Sequence, residues 1–596
     1  MDHIVRIGLT KGYEDYEAFD FANKFKKSVL KMKYKSIAKK VIPVSVHDPH
    51  SIVPEYKPID VGILPPLPFH PRKLKDLTYM NKLTKERVEL MIANIPNGFL
   101  MKTELELILH VIFEYEDVFA FNDVERGTFS SKYYLDYVMR MVPHVPWCES
   151  PIRLPRAKEA TIMQLLDEQH LGGKYELCTS SYCSVFFAVE KKGGKLQIVH
   201  DLQPLNCVTI RDLSLPPHID NMIEDFKGHA FYLIADLKAG YDAVPLAKES
   251  CDLTAFHAYA HGSMHLTSLP QGYTNSMSEF CRRTNHMIHS LCLDKANVFV
   301  DNIIGKGLKT RYNNEKLLEN PEIQRFIYEG IQTLQGICAC VCEAGVTISG
   351  EKFVAATPEL EMLGVTFSIL GAHIQHRALS KISKWPVCSS VTEVRGFLGT
   401  IGVIRRWIKD FVKIARPLVQ LTKKAETPIF VWNDDAQSVM EHLKFLATTA
   451  PPLVAIEYEL ASKIASQEFC DSDLGLVTLA VDLSYIGAGW ILSQVLEASD
   501  LPVLFGSVTF KDHESCYSQP KLELFGLFRA LKAEHHRLYG IHFRVKVDAR
   551  SLIEMINKPD LMPSTRWLAF IQLFDFEIMH VPAERHKGPD GLSRQC

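Results

Sequence analysis

Two groups of acidic side chains, far apart along the chain, have the type and spacing that hold divalent cations. The first is Asp236, at the end of the apolar run FYLIAD, with Asp301 and Asn302 in VFVDNII. The second is Asp482, Glu523, Asp548 and Asp590, towards the C-terminus. Hard cations such as Mg²⁺ prefer oxygen ligands. A pair of them between carboxylates clamps the attacking and leaving oxygens of a phosphoryl transfer. Each group therefore reads as the ligand set of a two-metal site. Plainer accounts stand beside this one. Asp301–Asn302 between two apolar stretches is also what a tight hairpin turn carries, and spacing alone favours that bare turn. The tail acids also suit the solvated surface of an α/β domain.

These residues need elements to hold them. FYLIAD reads as a buried strand ending in a carboxylate, and VFVDNII as a hairpin with the polar pair at its turn. Further on, a strand in VTLAVDLSYIGAGW ends at Asp482, Glu523 opens the helix LELFGLFRAL, and Asp548 ends the strand FRVKVD. Asp590 lies in HVPAERHKGPDGLSRQC. Upstream, the Pro-rich stretch from Pro54 to Pro71 predicts an extended linker, followed by a segment with helical apolar spacing. The stretch IRRWIKDFVKIARPLVQLTKKAETP is helical and locally basic, with Arg405, Arg406, Lys409, Lys413, Arg416, Lys423 and Lys424 against Asp410 and Glu426. Taken alone, that stretch is equally well a solvated helical face.

At 596 residues the chain is too long for one core, so several domains are expected. Its 47% hydrophobic and 23% charged residues are ordinary for globular protein. The net charge of −3 excludes a chain that is basic overall, so phosphates must be met by local patches. The 14 Cys follow no zinc-finger or knuckle spacing. The run Cys338-Ala339-Cys340-Val341-Cys342 reads as buried thiols in a helix, with Cys338 and Cys342 on one face. Neither a signal core nor a run long enough to span a bilayer is visible, so a cytoplasmic or nuclear protein, not a secreted one, is expected.

Five further stretches, in order, carry a resemblance: SYCSVFFAVEKKGGKLQIVHDLQPLNCVTIRD, GHAFYLIADLKAGYDAVPL, LTSLPQGYTNSMSEFCRRTNHMI, VFVDNIIGKG and SGEKFVAATPELEMLGVTFS. They resemble the reverse transcriptases of gypsy-class LTR retrotransposons, the fungal branch most of all. The tail acids resemble the RNase H of such elements, and HVPAERHKGPDGLSR is similar to its closing signature. The resemblance implies an α+β fold, a right-hand polymerase of fingers, palm and thumb, then a helical connection and an α/β RNase H-like domain. The expected divisions are 1–72 (polar, Pro-rich segment and linker), 73–146 (helical), 147–370 (fingers and palm), 371–470 (thumb and connection) and 471–596 (RNase H-like).

By the same resemblance, Asp236 and Asp301 would be the principal Mg²⁺ ligands, with Asn302 beside them. Tyr241 would be the gate against a ribose 2′-hydroxyl, and Gln271 would line the nucleotide pocket. Lys191 or Lys192 would reach the triphosphate, and Lys352 would be a proton donor to pyrophosphate. Asp482, Glu523, Asp548 and Asp590 would hold two Mg²⁺ in the nuclease; His580 and His586 would assist product release or proton traffic, although ordinary surface residues are the better reading of both. The basic stretch, Arg405, Arg406, Lys409, Lys413 and Arg416 above all, would track the phosphates of an RNA–DNA hybrid. The implied partners are an RNA template, a DNA primer, the hybrid and dNTPs, and virus-like particles would be one setting.

Two residues depart from the family pattern. Asn302 stands where the second Asp of the hairpin is expected, and Gln197 where an Arg grips the triphosphate. An amide oxygen attracts Mg²⁺ less than a carboxylate, and Gln lacks the guanidinium fork. An Asp-Asn pair does serve polymerases of nonsegmented negative-strand RNA viruses. A weakened polymerase is expected, with a catalytically decayed nucleic-acid-binding relic as the alternative. No Asp-Thr/Ser-Gly protease motif, Cys/His knuckle or integrase module is visible. A fragment of an element, a truncated gene and a decayed copy are all consistent with that.

Overall fold

The computed structural model describes residues 56–581 except 80–81, 191–193, 195, 213, 215–218, 260, 292–293, 424–429, 466–472, 498, 512 and 558–564. Lys191, Lys192, Lys424, His586 and Asp590 fall outside the described residues.

Thr84 caps α1 (Lys85–Ala93), its hydroxyl accepting from the Arg87 backbone N–H. Pro96-Asn97-Gly98 interrupts the apolar helical pattern, and α2 (Lys102–Glu114) follows, burying Leu107, Ile108, Val111 and Ile112. Beyond these come α3 (Glu159–Leu171), β1 (Tyr175–Leu177), β2 (Phe186–Glu190), β3 (Leu196–His200), α4 (Ile219–Phe226) and β4 (Tyr232–Asp236). β5 (Phe256–Ala258), β6 (Gly262–Leu266), α5 (Ser276–Met287), β7 (Ala296–Phe299), β8 (Asn302–Lys306), α6 (Arg325–Ala344) and β9 (Val354–Thr357) complete the first half.

The fingers consist of a sheet in the order β1-β6-β5 and the antiparallel hairpin β2–β3. Both pack with α3 around Ile162, Leu166, Tyr175, Phe186, Phe256 and Met264. The palm is an antiparallel sheet in the order β9-β4-β8-β7, covered by α5 and α6. FYLIAD is apolar up to Asp236 because β4 is a central strand with both faces covered.

The Pro-rich stretch is extended from residue 56, but it is docked against the palm. Ile59 and Leu67 are buried. The carbonyls of Pro65 and Leu67 accept from Gln335 Nε2 and Tyr328 Oη of α6, both at 3.1 Å. Proline lacks an N–H but keeps its carbonyl, so this strap bonds through acceptors. In α6, Cys338 and Cys340 are buried, whereas Cys342 is exposed one turn before the helix ends. Cys338 and Cys342, four residues apart, lie on one face as expected, but only Cys338 is a buried thiol; Cys340 is buried on another side because α6 is covered on most of its faces.

The second half opens with the meander β10 (Leu360–Met362), β11 (Val365–Ser368) and β12 (Gly371–Ile374). The helices α7 (His376–Ser383), α8 (Val391–Val403), α9 (Phe411–Leu421) and α10 (Asp434–Thr448) share a core with it, centred on Phe397, Trp407, Leu418 and Met440. After α11 (Tyr458–Ala465) come β13 (Val477–Ser484), β14 (Gly487–Leu496), β15 (Ser499–Thr509), α12 (Gln519–Ala533), β16 (His542–Val547), α13 (Arg550–Asn557), α14 (Thr565–Ile571) and β17 (Asp575–His580). The sheet runs β15-β14-β13-β16-β17, with β13–β16 and β16–β17 parallel.

The C-terminal domain is tied to the palm through α4. The Lys227 side chain is fully buried and donates to Glu224 and to the carbonyls of Val454 and Val503. Glu224 also accepts from Arg537 at 3.1 Å, and Asp220 pairs with Arg406.

In the fingers core the His200 ring packs against Tyr175 and Phe256, with Nε2 2.9 Å from the Tyr175 hydroxyl and Nδ1 unpartnered. Burial, with a smaller push from Lys174, lowers its pKa to about 3. The folded value lies below the unfolded value of ~6.5. The neutral ring's contribution is thus whole above pH ~6.5 and is lost as pH falls from there, at up to ~1.4 kcal/mol per unit. We expect the thermal midpoint of the native chain to drop between about pH 7 and about pH 5, and that of His200→Phe to drop less. Thermal unfolding followed by circular dichroism at both pH values checks this.

Candidate active sites in the palm and the C-terminal domain

Antiparallel pairing of β4 with β8 sets Asp236 directly opposite Asn302, and pairing of β7 with β8 sets Phe299 opposite Asn302. The hairpin turn is therefore Val300–Asp301, with Val300 at φ 57°, and Asn302 is the first residue of β8. The expectation that Asp301 and Asn302 share the turn is corrected by one residue. The Asp301 carbonyl accepts from the Leu237 backbone N–H at 2.9 Å, which fixes the turn against the end of β4.

Asp236 and Asp301 come close enough to act on each other. Burial first, then the charge on Asp236, pushes the Asp301 carboxyl up. The Lys352 ammonium is ion-paired to Asp236, and that hydrogen bond raises the lysine pKa. A cation thus already sits on this acid pair, and the donor set is hard oxygen, so the residues fit Mg²⁺. Asn302 Nδ2 lies 3.4 Å from Asp301 Oδ1. Its amide points a donor at the carboxylate, where an Asp would have added a third negative charge.

Tyr241 follows Ala239, which is held at φ 46°, in the turn Gly240–Ala243. Its ring packs on Phe280, with centroids 5.0 Å apart. A Cβ on Gly240 would stand 2.4 Å from Phe280 Cζ, so glycine is required for this approach. Burial, with Cys281 and Asp301, raises the Tyr241 pKa. Gln197, on β3, reaches Gln271 at 3.5 Å, so the two residues assigned to one nucleotide pocket do meet.

The tail acids are placed differently. Asp482 lies inside β13, which continues to Ser484 before turning into β14. The expected strand end at Asp482 is therefore two residues further on, and the small residues that follow open β14. Glu523 sits in the second turn of α12 and accepts from Ser551 Oγ of α13 at 2.9 Å and from Gln519 at 3.1 Å. Asp548 directly follows β16, and its carbonyl meets His580 Nε2 at 3.0 Å. Ser551 links Glu523 to the helix that starts two residues beyond Asp548. Among the described residues, these three acids do not form a group with ligand atoms within 4.8 Å of one another. The three described acids are thus more open than a closed cage, and the fourth acid, Asp590, lies outside the described residues.

Asp410, a counter-charge within the basic stretch, lies beside Asp482. It holds φ 52° and lines a narrow groove with Asp482 and Lys413. A Cβ on Gly489 would be 2.3 Å from Asp410 Oδ1, and Asp482 is paired to Gly489 across the sheet. Burial, then Asp482, raises the Asp410 pKa. The rest of the basic stretch is divided. Arg406 pairs with Asp220, and Arg416 lies over the Tyr485 ring at 6.0 Å. Arg405, Lys413 and Lys423 are exposed, and Lys409 is half-buried.

Comparison with known proteins follows the same division. Residues 189–367 match the family described as reverse transcriptase (RNA-dependent DNA polymerase). Residues 476–574 match the RNase H-like domain found in reverse transcriptase. Such families generally depend on divalent metal. The chain is 24% identical over 480 residues to the retrovirus-related Pol polyprotein from transposon 297 of Drosophila melanogaster, covering 80% of this chain and 42% of that one. It is 25% identical over 430 residues to the Pol polyprotein from transposon gypsy of the same organism, covering 70% and 38%. The transposon Tf2-3 polyprotein of Schizosaccharomyces pombe is 23% identical over 457 residues, with 74% and 31% covered. The chain thus spans less than half the length of these curated relatives.

Among solved structures, the foamy viral protease-reverse transcriptase in complex with dsDNA superposes with a TM-score of 0.68 at 18% identity, covering 85% of this chain and 99% of that one. The same protein in complex with an RNA/DNA hybrid gives 0.64 at 18%, covering 86% and 65%. At that identity the likeness is one of fold. Among the described residues, no helix is long and apolar enough to cross a membrane. Residues 189–367 thus match the reverse transcriptase family and residues 476–574 the RNase H-like domain, and the curated relatives aligned with 70–80% of this chain are Pol polyproteins of gypsy-type and Tf2 LTR retrotransposons.

Proposed function

We propose that this chain is an RNA-directed DNA polymerase whose C-terminal domain cleaves the RNA strand of an RNA–DNA hybrid. The observation that carries the first part is the placement of Asp236, paired with Asn302 across β4–β8, beside Asp301 of the turn, with Tyr241 close enough to feel the Asp301 charge. Asp236 and Asp301 would hold two Mg²⁺, which when bound neutralise charge on the triphosphate and favour ionisation of the primer 3′-hydroxyl. In-line attack of that hydroxyl on the dNTP α-phosphate forms the new ester bond and releases pyrophosphate. Tyr241, fixed by Phe280, closes the space beside the sugar C2′, so a 2′-hydroxyl is excluded. Gln271 and Gln197 present amides to the nucleotide. Lys352 Nζ, released from Asp236 when that carboxylate binds Mg²⁺, would give its proton to the leaving pyrophosphate oxygen.

The partners on this reading are an RNA template, a DNA primer, the hybrid and dNTPs. The exposed cations Arg405, Lys413, Arg416 and Lys423 would meet backbone phosphates. The cytoplasm, the nucleus or virus-like particles would be its setting. The domain divisions expected from the sequence belong to the same proposal.

A second reading, a nucleic-acid-binding relic with little polymerisation, is favoured by Asn302 and Gln197. Losing one charge that stabilises the transition state costs on the order of a hundredfold, and two such positions lie in one site.

Primer extension on an RNA template with Mg²⁺ tests the polymerase. Extension should be lost in Asp236→Ala, and a rate equal to the native chain's would overturn the assignment. Asn302→Asp with Gln197→Arg should raise extension on the order of tenfold or more. No rise would remove the charge deficit as the cause of weakness. Gly240→Ala should push Phe280 and Tyr241 apart and lower the preference for dNTP over rNTP on the order of tenfold, measured as the ratio of single-nucleotide incorporation rates. For the nuclease, Asp482→Asn should abolish cleavage of a labelled hybrid while leaving primer extension intact. Persistent cleavage would sink that half of the proposal.

A further inference from the structure

Away from both acid sets, the fingers bring three unlike ligand groups together. Cys178 Sγ, Asp252 carboxylate and His265 ring nitrogen lie within 4.8 Å of one another, the one such His/Cys/Asp/Glu group among the described residues. They come from three segments. Cys178 follows β1, Asp252 starts the single turn Asp252–Thr254, and His265 is on β6. Each is held by backbone. The Cys178 N–H donates to the Ser263 carbonyl at 2.9 Å, and the Asp252 carbonyl accepts from Ser180 Oγ at 3.0 Å. Glu176 is paired to His265 across β1–β6.

The His265 ring is oriented at both nitrogens. Nδ1 is 3.1 Å from Asp252 Oδ1, inside the group, and Nε2 is 3.8 Å from Glu176 Oε2, outside it. That is the arrangement of a metal-ligating histidine, with one nitrogen facing the ion and the other turned towards a carboxylate that fixes the tautomer. The ring is only 14% exposed, so this geometry is imposed by packing. Charge also balances. A thiolate and a carboxylate together neutralise one divalent ion, so a half-buried site carries no net charge. A sulfur ligand with imidazole and one carboxylate selects a borderline ion such as Zn²⁺ over Mg²⁺ or Ca²⁺.

We propose that Cys178, Asp252 and His265 form a zinc site at the base of the fingers, with Glu176 as the outer partner of His265. Binding releases the thiol proton and any proton on His265 Nδ1, and forms Zn–S, Zn–O and Zn–N bonds, leaving the fourth position to water. The ion joins the end of β1, β6 and the turn at Asp252, and so stiffens the sheet that carries the fingers.

The test uses the full chain with Co²⁺ alone as the probe, in excess Mg²⁺ so that all-oxygen sites are filled. We expect one equivalent of Co²⁺ to give thiolate-to-cobalt absorption. Cys178→Ser should lose the band, and Cys183→Ser should keep it. Glu176→Gln should weaken Co²⁺ binding on the order of 10- to 100-fold. The native chain supplies a check that needs no variant: Zn²⁺ should shield Cys178 from alkylation, read by mass spectrometry. Absence of a thiolate band, a band unchanged in Cys178→Ser, or alkylation of Cys178 unaffected by Zn²⁺ would reduce the group to a His–Asp hydrogen bond with a bystander thiol.

Discussion

The palm depends on holding two carboxylates together at the end of a buried strand. Asp236 ends β4, and Asp301 occupies the turn that β8 brings against it. Like charges in a half-buried place repel, and desolvation adds to the cost. The fold meets that cost with the Lys352 ammonium on Asp236 and the Asn302 amide donor near Asp301. Asn302 therefore has a definite physical consequence. It lowers repulsion within the protein, and it also lowers the attraction for a dication. Stability and ion affinity pull in opposite directions at this residue.

A second economy of charge joins the two halves of the molecule. α4 presents Asp220 and Glu224, with Lys227 just beyond it, and all three meet the connection or the C-terminal domain. Lys227 has no exposed surface, yet Glu224 and two carbonyls satisfy it. Burying an ammonium is costly unless its hydrogen bonds are complete. The contact therefore favours one arrangement of the halves more than it adds raw stability. The same packing brings Asp410 of the connection beside Asp482 of the C-terminal sheet. The basic stretch is thus partly interior, and only some of its cations remain for a polyanion.

Several features were legible in the sequence because they rest on local pattern. FYLIAD reads as a buried strand because a central strand is apolar on both faces. VFVDNII reads as a hairpin because a polar break in an apolar run has few other uses, although turn geometry moved the bend one residue towards Val300. The helical connection follows from its apolar spacing; that Asn433 caps α10, its side chain accepting from the Ala436 N–H, is added by the structure. Order of motifs also carried the division into reverse transcriptase and RNase H-like parts, which the family comparisons share. Other features were not legible. Proline content predicted an extended linker but not its docking, because composition reports extension and not what the extension lies against. The docking carbonyls of Pro65 and Leu67 belong to every residue and leave no mark in the sequence.

By itself the sequence determined which residues could act: two sets of acids, their order, and the two positions where charge is missing. These are matters of side-chain chemistry and local periodicity. Tertiary structure alone decided which of them meet. It set Asp236 against Asn302 by strand register, kept the three described tail acids from forming a tight group, and placed Asp410 beside Asp482. It also gathered Cys178, Asp252 and His265, whose separation along the chain matches no metal-binding spacing. The reason is that contacts between distant segments follow from how sheets and helices pack, and no local pattern encodes that packing.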